Sequence, residues 1–269
     1  MILLTGANGP LGKCLAKRLS SRGLQIVELS SSPKAGQIRY SFGDLSGLEK
    51  LQLSGSTLIH CARPSEFTER QFFAETRDLS VLLNWGVKLV NISSVSGYLV
   101  ERNKYGTYKR AIEDWLNQKE QQNLVAGLLF APDYHGQISR IRSALKFLPV
   151  CPNLVGSGGV HITPVDWLEE EIVGALNSTV QEKGPTFLTT YSKSFNWVLR
   201  QMSNSLKPEV KIPISSIEAF VRIFPRNRYF SVDSLKGITG SFEGLGERQD
   251  SIKRESELLA LWDKFRTNS

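Results

Sequence analysis

Cysteine is scarce in this chain: there are three in 269 residues, Cys14, Cys61 and Cys151, far apart and odd in number. No spacing among them suits a zinc site or a disulfide framework, and such usage fits a reducing compartment. Histidine is as sparse, at His60, His135 and His161, and the three do not form a metal-ligating set. No metal is therefore expected. Long apolar runs are missing too. The stretch LVAGLLFA, Leu124 to Ala131, is far too short to cross a bilayer. A strand reads from residue 2 and leaves no room ahead of it for a signal peptide. These features lead us to expect a cytoplasmic protein with no membrane partner.

Charge of one sign is never concentrated. The net charge is +7, yet the basic residues are scattered, and no nucleic-acid motif accompanies them. A nucleic-acid partner is not expected, whereas an anionic small-molecule substrate is compatible with the excess. Hydrophobic residues make up 41 % and charged residues 22 %, an ordinary globular balance in a chain long enough for a full core.

Strand and helix signals alternate along the first half. ILLT (2–5), LQIVEL (24–29), IRYSF (38–42), STLIHCA (56–62), VKLVNISS (87–94) and LVAGLLFA (124–131) read as buried strands. Helices fit from Pro10 to Gly23, over 66–85 and over 108–119. Apolar strands separated by helices predict an α/β fold, a doubly wound parallel Rossmann sheet whose ligand lies beyond the carboxyl ends of the strands. After Pro132 glycine and proline become frequent, and helices fit 166–177, 194–203 and 249–265. We expect a dinucleotide-binding domain over 1–150 and a smaller, mostly helical substrate-binding annex over 151–269, with the chain free to cross back.

Between the first strand and its helix stands TGANGPLG, residues 5–12. Gly6 permits a sharp turn, Gly9 lets the backbone approach a pyrophosphate, and Gly12 lets the helix pack close to the strand. The helix N-terminus adds free N–H groups and a positive dipole end. A ligand-free strand–turn–helix corner would use the same glycines. The second strand then ends in Leu29, Ser30, Ser31, Ser32, Pro33 and Lys34. A carboxylate there would accept from a 2′-hydroxyl and repel a 2′-phosphate. None is present, and Glu28 stands early and points away from Leu29. NADP is favoured over NAD.

The fifth strand ends at Ser94, and Tyr105 and Lys109 follow, four apart on one helix face. A free phenol has a pKa of about 10 and is a poor base at neutral pH. A nearby ammonium favours the phenolate, which can then exchange a proton with a substrate hydroxyl or carbonyl. Lys109 could instead pair with Glu113 at helical spacing.

With these pieces in order, the chain resembles the extended branch of the short-chain dehydrogenase/reductase superfamily, the NAD(P)-dependent epimerases, dehydratases and reductases. TGANGPLG resembles its TGxxGxxG loop, and Gly43-Asp44-Leu45 its adenine-contacting Asp-Leu. LIHCAR (58–63) is similar to its fourth-strand segment, NISSVSGY (91–98) to its catalytic-serine strand, and YGTYKRAIE (105–113) to its YGxSKxxxE helix. FAPDYHG (130–136) is similar to its RPxxxYG segment. The resemblance implies roles. Tyr105 would be the general acid/base, Lys109 would lower its pKa and hold the nicotinamide ribose, and Ser94 would bind the reacting oxygen. Gly6, Asn8, Gly9, Pro10, Leu11 and Gly12 would wrap the pyrophosphate. Ser30 stands where the branch often has aspartate, with Ser31 beside it. Asp44 and Leu45 would flank the adenine, and Ala62 and Arg63 would line the cofactor cleft. His135 is a candidate for substrate contact, as are Arg226 and Arg228, which resemble arginines that hold a substrate diphosphate. A homodimer through the helices after the fourth and fifth strands is a further implication.

The chain also departs from the pattern. Phe130 replaces the arginine before proline, and the usual helix asparagine has no clear counterpart in QFFAE (71–75). Val95 and Ser96 follow Ser94 in place of the acidic dyad of sugar 4,6-dehydratases. The expected activity is hydride transfer between a nicotinamide and a carbonyl or hydroxyl carbon of a nucleotide-activated sugar or another small carbonyl compound. A non-enzymatic NADP(H) sensor or assembly protein is the alternative.

Overall fold

The structure is a computed structural model and describes residues 1–100, 102–155, 159–178, 184–188, 193–203, 207–213, Ser215 and 251–267. Its strands in chain order are β1 (Ile2–Thr5), β2 (Ile26–Ser30), β3 (Ile38–Arg39), β4 (Thr57–His60), β5 (Lys88–Ser94), β6 (Gln122–Ala126), β7 (Leu128–Phe130), β8 (Cys151–Val155), β9 (Gly159–Val160), β10 (Ile162–Pro164), β11 (Pro185–Phe187), β12 (Lys193–Ser194) and β13 (Glu209–Pro213). The helices are α1 (Pro10–Ser21), α2 (Glu69–Asn84), α3 (Lys104–Gln118), α4 (Gln137–Phe147), α5 (Val165–Asn177), α6 (Phe195–Met202) and α7 (Ser251–Thr267). The chain folds as two compact units: Met1–Ser94, Tyr108–Val125 and Asp166–Phe187 form the first, and Val95–Thr107, Ala126–Val165 and Leu188–Ser269 the second.

The first unit is built on a parallel sheet of seven strands in the order β11-β6-β5-β4-β1-β2-β3. This is the doubly wound Rossmann arrangement. The strand order reverses between β1 and β4, so the crevice at their carboxyl ends is the switch point where such sheets bind ligands. Leu3 and Leu4 of β1 and Leu58 and Ile59 of β4 are fully buried, which is why both strands read as unbroken apolar runs. Leu79 and Leu82 of α2 and Tyr108, Ile112 and Leu116 of α3 supply the helical side of one core cluster.

Two elements differ from the sequence expectation in a way that bears on the site. Helix α3 begins one turn earlier, at Lys104, because the Asn103 side chain accepts from the Gly106 N–H at 2.7 Å and caps it. Tyr105 is therefore helical. The stretch 124–131 is not one strand. It breaks at Gly127, whose N–H donates to Thr163 Oγ1 at 2.8 Å, and β7 pairs in parallel with β10 in the second unit. The second unit holds two further short pairings, β9 with β12 and β8 with β13, alongside α4, α6 and α7. Its aromatic core joins Phe130 and Trp262, with ring centroids 4.7 Å apart, to Phe265 and Trp197.

Helix α1, which follows the glycine turn, is anchored in the first unit by ion pairs to α5. Arg18 Nη1 donates to Asp166 Oδ1 at 3.2 Å and to Glu169 Oε2 at 3.0 Å, and Arg22 Nε donates to the other Glu169 oxygen. Glu169 is buried, so its removal leaves two guanidinium groups short of an acceptor. Glu169→Ala is expected to destabilise the chain by about 2 kcal/mol, seen as a lower midpoint in urea at unchanged m-value, whereas Glu170→Ala, exposed on the same helix, should leave the midpoint in place.

Candidate active site

The turn after β1 is held by backbone. Gly9 N–H donates to the Gly6 carbonyl at 2.8 Å, and Gly6 sits at φ +70°, the left-handed region that a side chain disfavours. A Cβ on Gly6 would stand 3.0 Å from the Ala62 backbone, so β1 and β4 converge here. A Cβ on Gly12 would drive into the Gly6 carbonyl oxygen and lie 2.9 Å from Ala7 Cα. These glycines make a close-packed turn that side chains would not fit. Gly9 is the N-cap of α1 and offers no side-chain cap, which leaves first-turn N–H groups for an anion. Pro10 is exposed at the helix start, Leu11 half-buried behind it.

The Asn8 side chain is spent inside the protein. Its Nδ2 donates to Ser30 Oγ at 2.7 Å and to the Ser32 carbonyl at 2.6 Å. Gln37 Nε2 donates to Asn8 Oδ1 at 3.2 Å and to Glu28 Oε2 at 2.7 Å. The glycine turn is thereby tied to the end of β2 and the loop beyond it. Ser30 is buried and also accepts from the Ser32 N–H at 3.1 Å, while Ser31, Ser32 and Lys34 are exposed. Asp44 accepts from the N–H and hydroxyl of Ser46, at 3.1 and 2.6 Å, and these bonds hold its carboxyl below the usual range. Leu45 packs half-buried against the core cluster. Cys61 and Ala62 both give their N–H to Thr5 Oγ1, at 3.1 and 3.2 Å, and Arg63 is exposed.

Ser94 ends β5 half-buried in the first unit, and Tyr105 lies half-buried on the first turn of α3 in the second. Lys109, one turn along α3, is buried and donates through Nζ to the Ile92 carbonyl at 3.0 Å. The alternative Lys109–Glu113 pairing does not form. Glu113 instead accepts from Ser93 Oγ at 2.6 Å and from Arg110 at 3.2 Å. The ammonium also acts on Cys61, partly offsetting the burial that pushes its thiol up to about 12. Of the remaining candidates, His135 is exposed ahead of α4, and Arg226 and Arg228 lie outside the described residues. Phe130, in the place of the family arginine, is buried against Trp262 and Phe265 and serves the core.

Sequence reasoning left Glu75 and Tyr108 unassigned. Tyr108 donates to Glu75 Oε2 at 2.7 Å, and His60 Nε2 meets Glu75 Oε1 at 3.0 Å. Burial first, then the Glu75 charge, pushes the Tyr108 phenol far up, so it stays a donor. The signal was present in the pattern: a carboxylate at 75 stands on the apolar stripe that continues through Leu79 and Leu82. Among the described residues no group of His, Cys, Asp and Glu is placed to hold a metal ion, and no helix is long and apolar enough to cross a membrane.

No family model and no curated protein matches the chain by sequence. Solved structures do match. A nucleoside-diphosphate-sugar epimerase from Staphylococcus aureus superposes with a TM-score of 0.71 at 13% identity, over 94% of this chain and 94% of that one. A short-chain dehydrogenase/reductase superfamily protein from Agrobacterium tumefaciens, solved with NAD, gives 0.62 at 17% identity over 79% and 86%. MoeE5, solved with UDP-glucuronic acid and NAD, gives 0.60 at 19% identity over 94% and 99%. The fold is thus that of the short-chain dehydrogenases/reductases.

The tight glycine cradle sets a direct test. Gly12→Ala is expected to cost about 2 kcal/mol through overpacking, measured as a lower urea midpoint at unchanged m-value.

Proposed function

We propose that this chain is an NADP(H)-preferring oxidoreductase or epimerase of the extended short-chain dehydrogenase/reductase type. The observation that carries the reading is Lys109: an ammonium buried on α3, one helical turn after Tyr105, bonded to the carbonyl of Ile92 two residues before Ser94. Burying a cation has a cost, and a structural lysine would be expected to find a carboxylate. Here Glu113 is available one turn further along and is bonded elsewhere. Lysine has three donors, of which the described residues take one. The other two suit the hydroxyls of a nicotinamide ribose.

When bound, the nicotinamide supplies or accepts hydride. The chain's own residues do the rest. The Gly6–Gly12 turn and the uncapped start of α1 hold the pyrophosphate, with Asn8 shaping the turn through its bonds to Ser30 and Ser32. Ser94 binds the oxygen of the reacting carbon. Tyr105 exchanges a proton with that oxygen. Asp44 and Leu45 flank the adenine, and Ala62 and Arg63 line the cleft.

Preference for NADP rests on the end of β2. Ser30 Oγ accepts two hydrogen bonds, so its own proton is what it has left to give. A phosphate oxygen takes such a donor. Glu28 is the nearest carboxylate and is engaged by Gln37. Exposed Ser31 and Lys34 add a donor and a positive charge. The substrate in this reading is an anionic nucleotide-activated sugar or another small carbonyl compound. The net charge of +7 and the sugar-nucleotide chemistry in the names of the structural neighbours support it. In this reading His135 contacts the substrate, and the protein works in the cytoplasm as a homodimer.

Tyr105→Phe should bind NADPH within about twofold of wild type and lose turnover by roughly 10²–10⁴-fold, the span of general acid–base catalysis, across a panel of nucleotide sugars and simple carbonyls. A wild-type chain that binds NADPH yet converts none of them favours the sensor alternative. Ser30→Asp should reverse the preference toward NADH, read as the ratio of the two dissociation constants.

A further inference from the structure

The buried polar chain that reaches Tyr108 has no part in the reading above, and its bonding can be assigned donor by donor. A hydroxyl has one proton and two lone pairs. Thr5 Oγ1 accepts the N–H groups of Cys61 and Ala62, so its proton goes to His60 Nδ1 at 3.0 Å. His60 then carries its own proton on Nε2 and gives it to Glu75 Oε1 at 3.0 Å. The second Glu75 oxygen takes the Tyr108 proton at 2.7 Å. One directed line of bonds therefore runs from β1 through β4 and α2 to α3. None of its four residues is more than 7% exposed.

Four apolar side chains would fill this space without the desolvation cost of a buried carboxylate. What an apolar set would not provide is direction. Tyr108 meets Glu75 only at one rotation of α3 about its axis. Lys109 is the next residue on that helix, and its Nζ reaches the Ile92 carbonyl at that same rotation. The other end of the line is Thr5, the residue before Gly6.

We propose that Glu75 and Tyr108 are positioning residues for Lys109: through the His60–Thr5 line they set the rotation of α3 against the strand that enters the glycine turn, so that the lysine meets the nicotinamide ribose of a dinucleotide held by that turn. The proposal rests on the reading of Lys109 as the residue that holds this ribose. It makes Glu75 a determinant of how the nicotinamide half of the cofactor binds, and not of how the adenosine half binds.

The test separates the two halves. Wild type, Tyr108→Phe, Glu75→Gln and the double variant are titrated with NADPH and with 2′-phospho-ADP, which lacks both nicotinamide and its ribose. NADH and ADP are the matching pair should the chain prefer the unphosphorylated cofactor. The expected result is that every variant binds the truncated probe within twofold of wild type. NADPH affinity falls at least fivefold in each single variant, and the emission of bound nicotinamide drops. The double variant is no more than twofold weaker than either single one, because both cut the same line. Lys109→Met should show the same loss, with no further loss on adding Tyr108→Phe. A merely structural role would weaken both probes together. That result, or NADPH binding unchanged in folded variants, overturns the proposal while leaving the proposed function intact. Should Tyr108→Phe fail to fold, Glu75→Gln, which keeps shape and one acceptor, is read by the same criteria. A wild-type chain that binds neither dinucleotide overturns the functional reading and this proposal with it.

Discussion

The structure turns on the saturation of a single hydroxyl. Thr5 Oγ1 accepts two backbone N–H groups from the segment after β4, at 3.1 and 3.2 Å. This draws the ends of β1 and β4 together at the reversal of strand order. The contact is possible only because Gly6 has no side chain, since a Cβ there would stand 3.0 Å from Ala62. With both lone pairs occupied, Thr5 can only donate, and the His60 tautomer follows. The orientation of Glu75 and the hydroxyl of Tyr108 follow in turn. A threonine in an apolar strand thus organises the backbone of the glycine turn on one side and a helix on the other.

The sequence carried most of the fold because its signals were local. Four apolar residues ending in glycine, a proline at the first position of α1, and unbroken apolar strands are features of single elements, and each formed close to where it was read. The misjudged boundaries were those set by a partner distant in sequence or by a cap. Gly127 divides an apolar run because its N–H is taken by Thr163, 36 residues away. Helix α3 starts early because of the Asn103 side chain. For the site, the glycines, Ser94, Tyr105 and Lys109 were legible as types at a spacing. Glu75 and Tyr108 were not, because their role exists only once β4, α2 and α3 are packed together. A carboxylate on an apolar stripe announces burial but not its partner.

Phe130 shows how a departure from a family pattern can be read physically. The family expectation at this place is an arginine. In this chain the residue is buried in an aromatic cluster with Trp262 and Phe265 of the last helix. The Arg142 guanidinium lies 5.3 Å from the Phe265 ring and donates to its carbonyl at 3.3 Å. A cation at position 130 would be desolvated among those rings. The substitution and the aromatic helix therefore belong together.

The same reasoning bears on Lys109. Two buried carboxylates, Glu75 on α2 and Glu113 one turn along α3, are bonded to other groups: Glu75 to His60 and Tyr108, Glu113 to Ser93 and Arg110. A carboxylate free of such bonds is the usual counter-ion of a buried ammonium. Among the described residues Lys109 is bonded to the strand carbonyl of Ile92 and to neither carboxylate. The buried acids of this unit thus matter as much for the contact they do not make as for those they do.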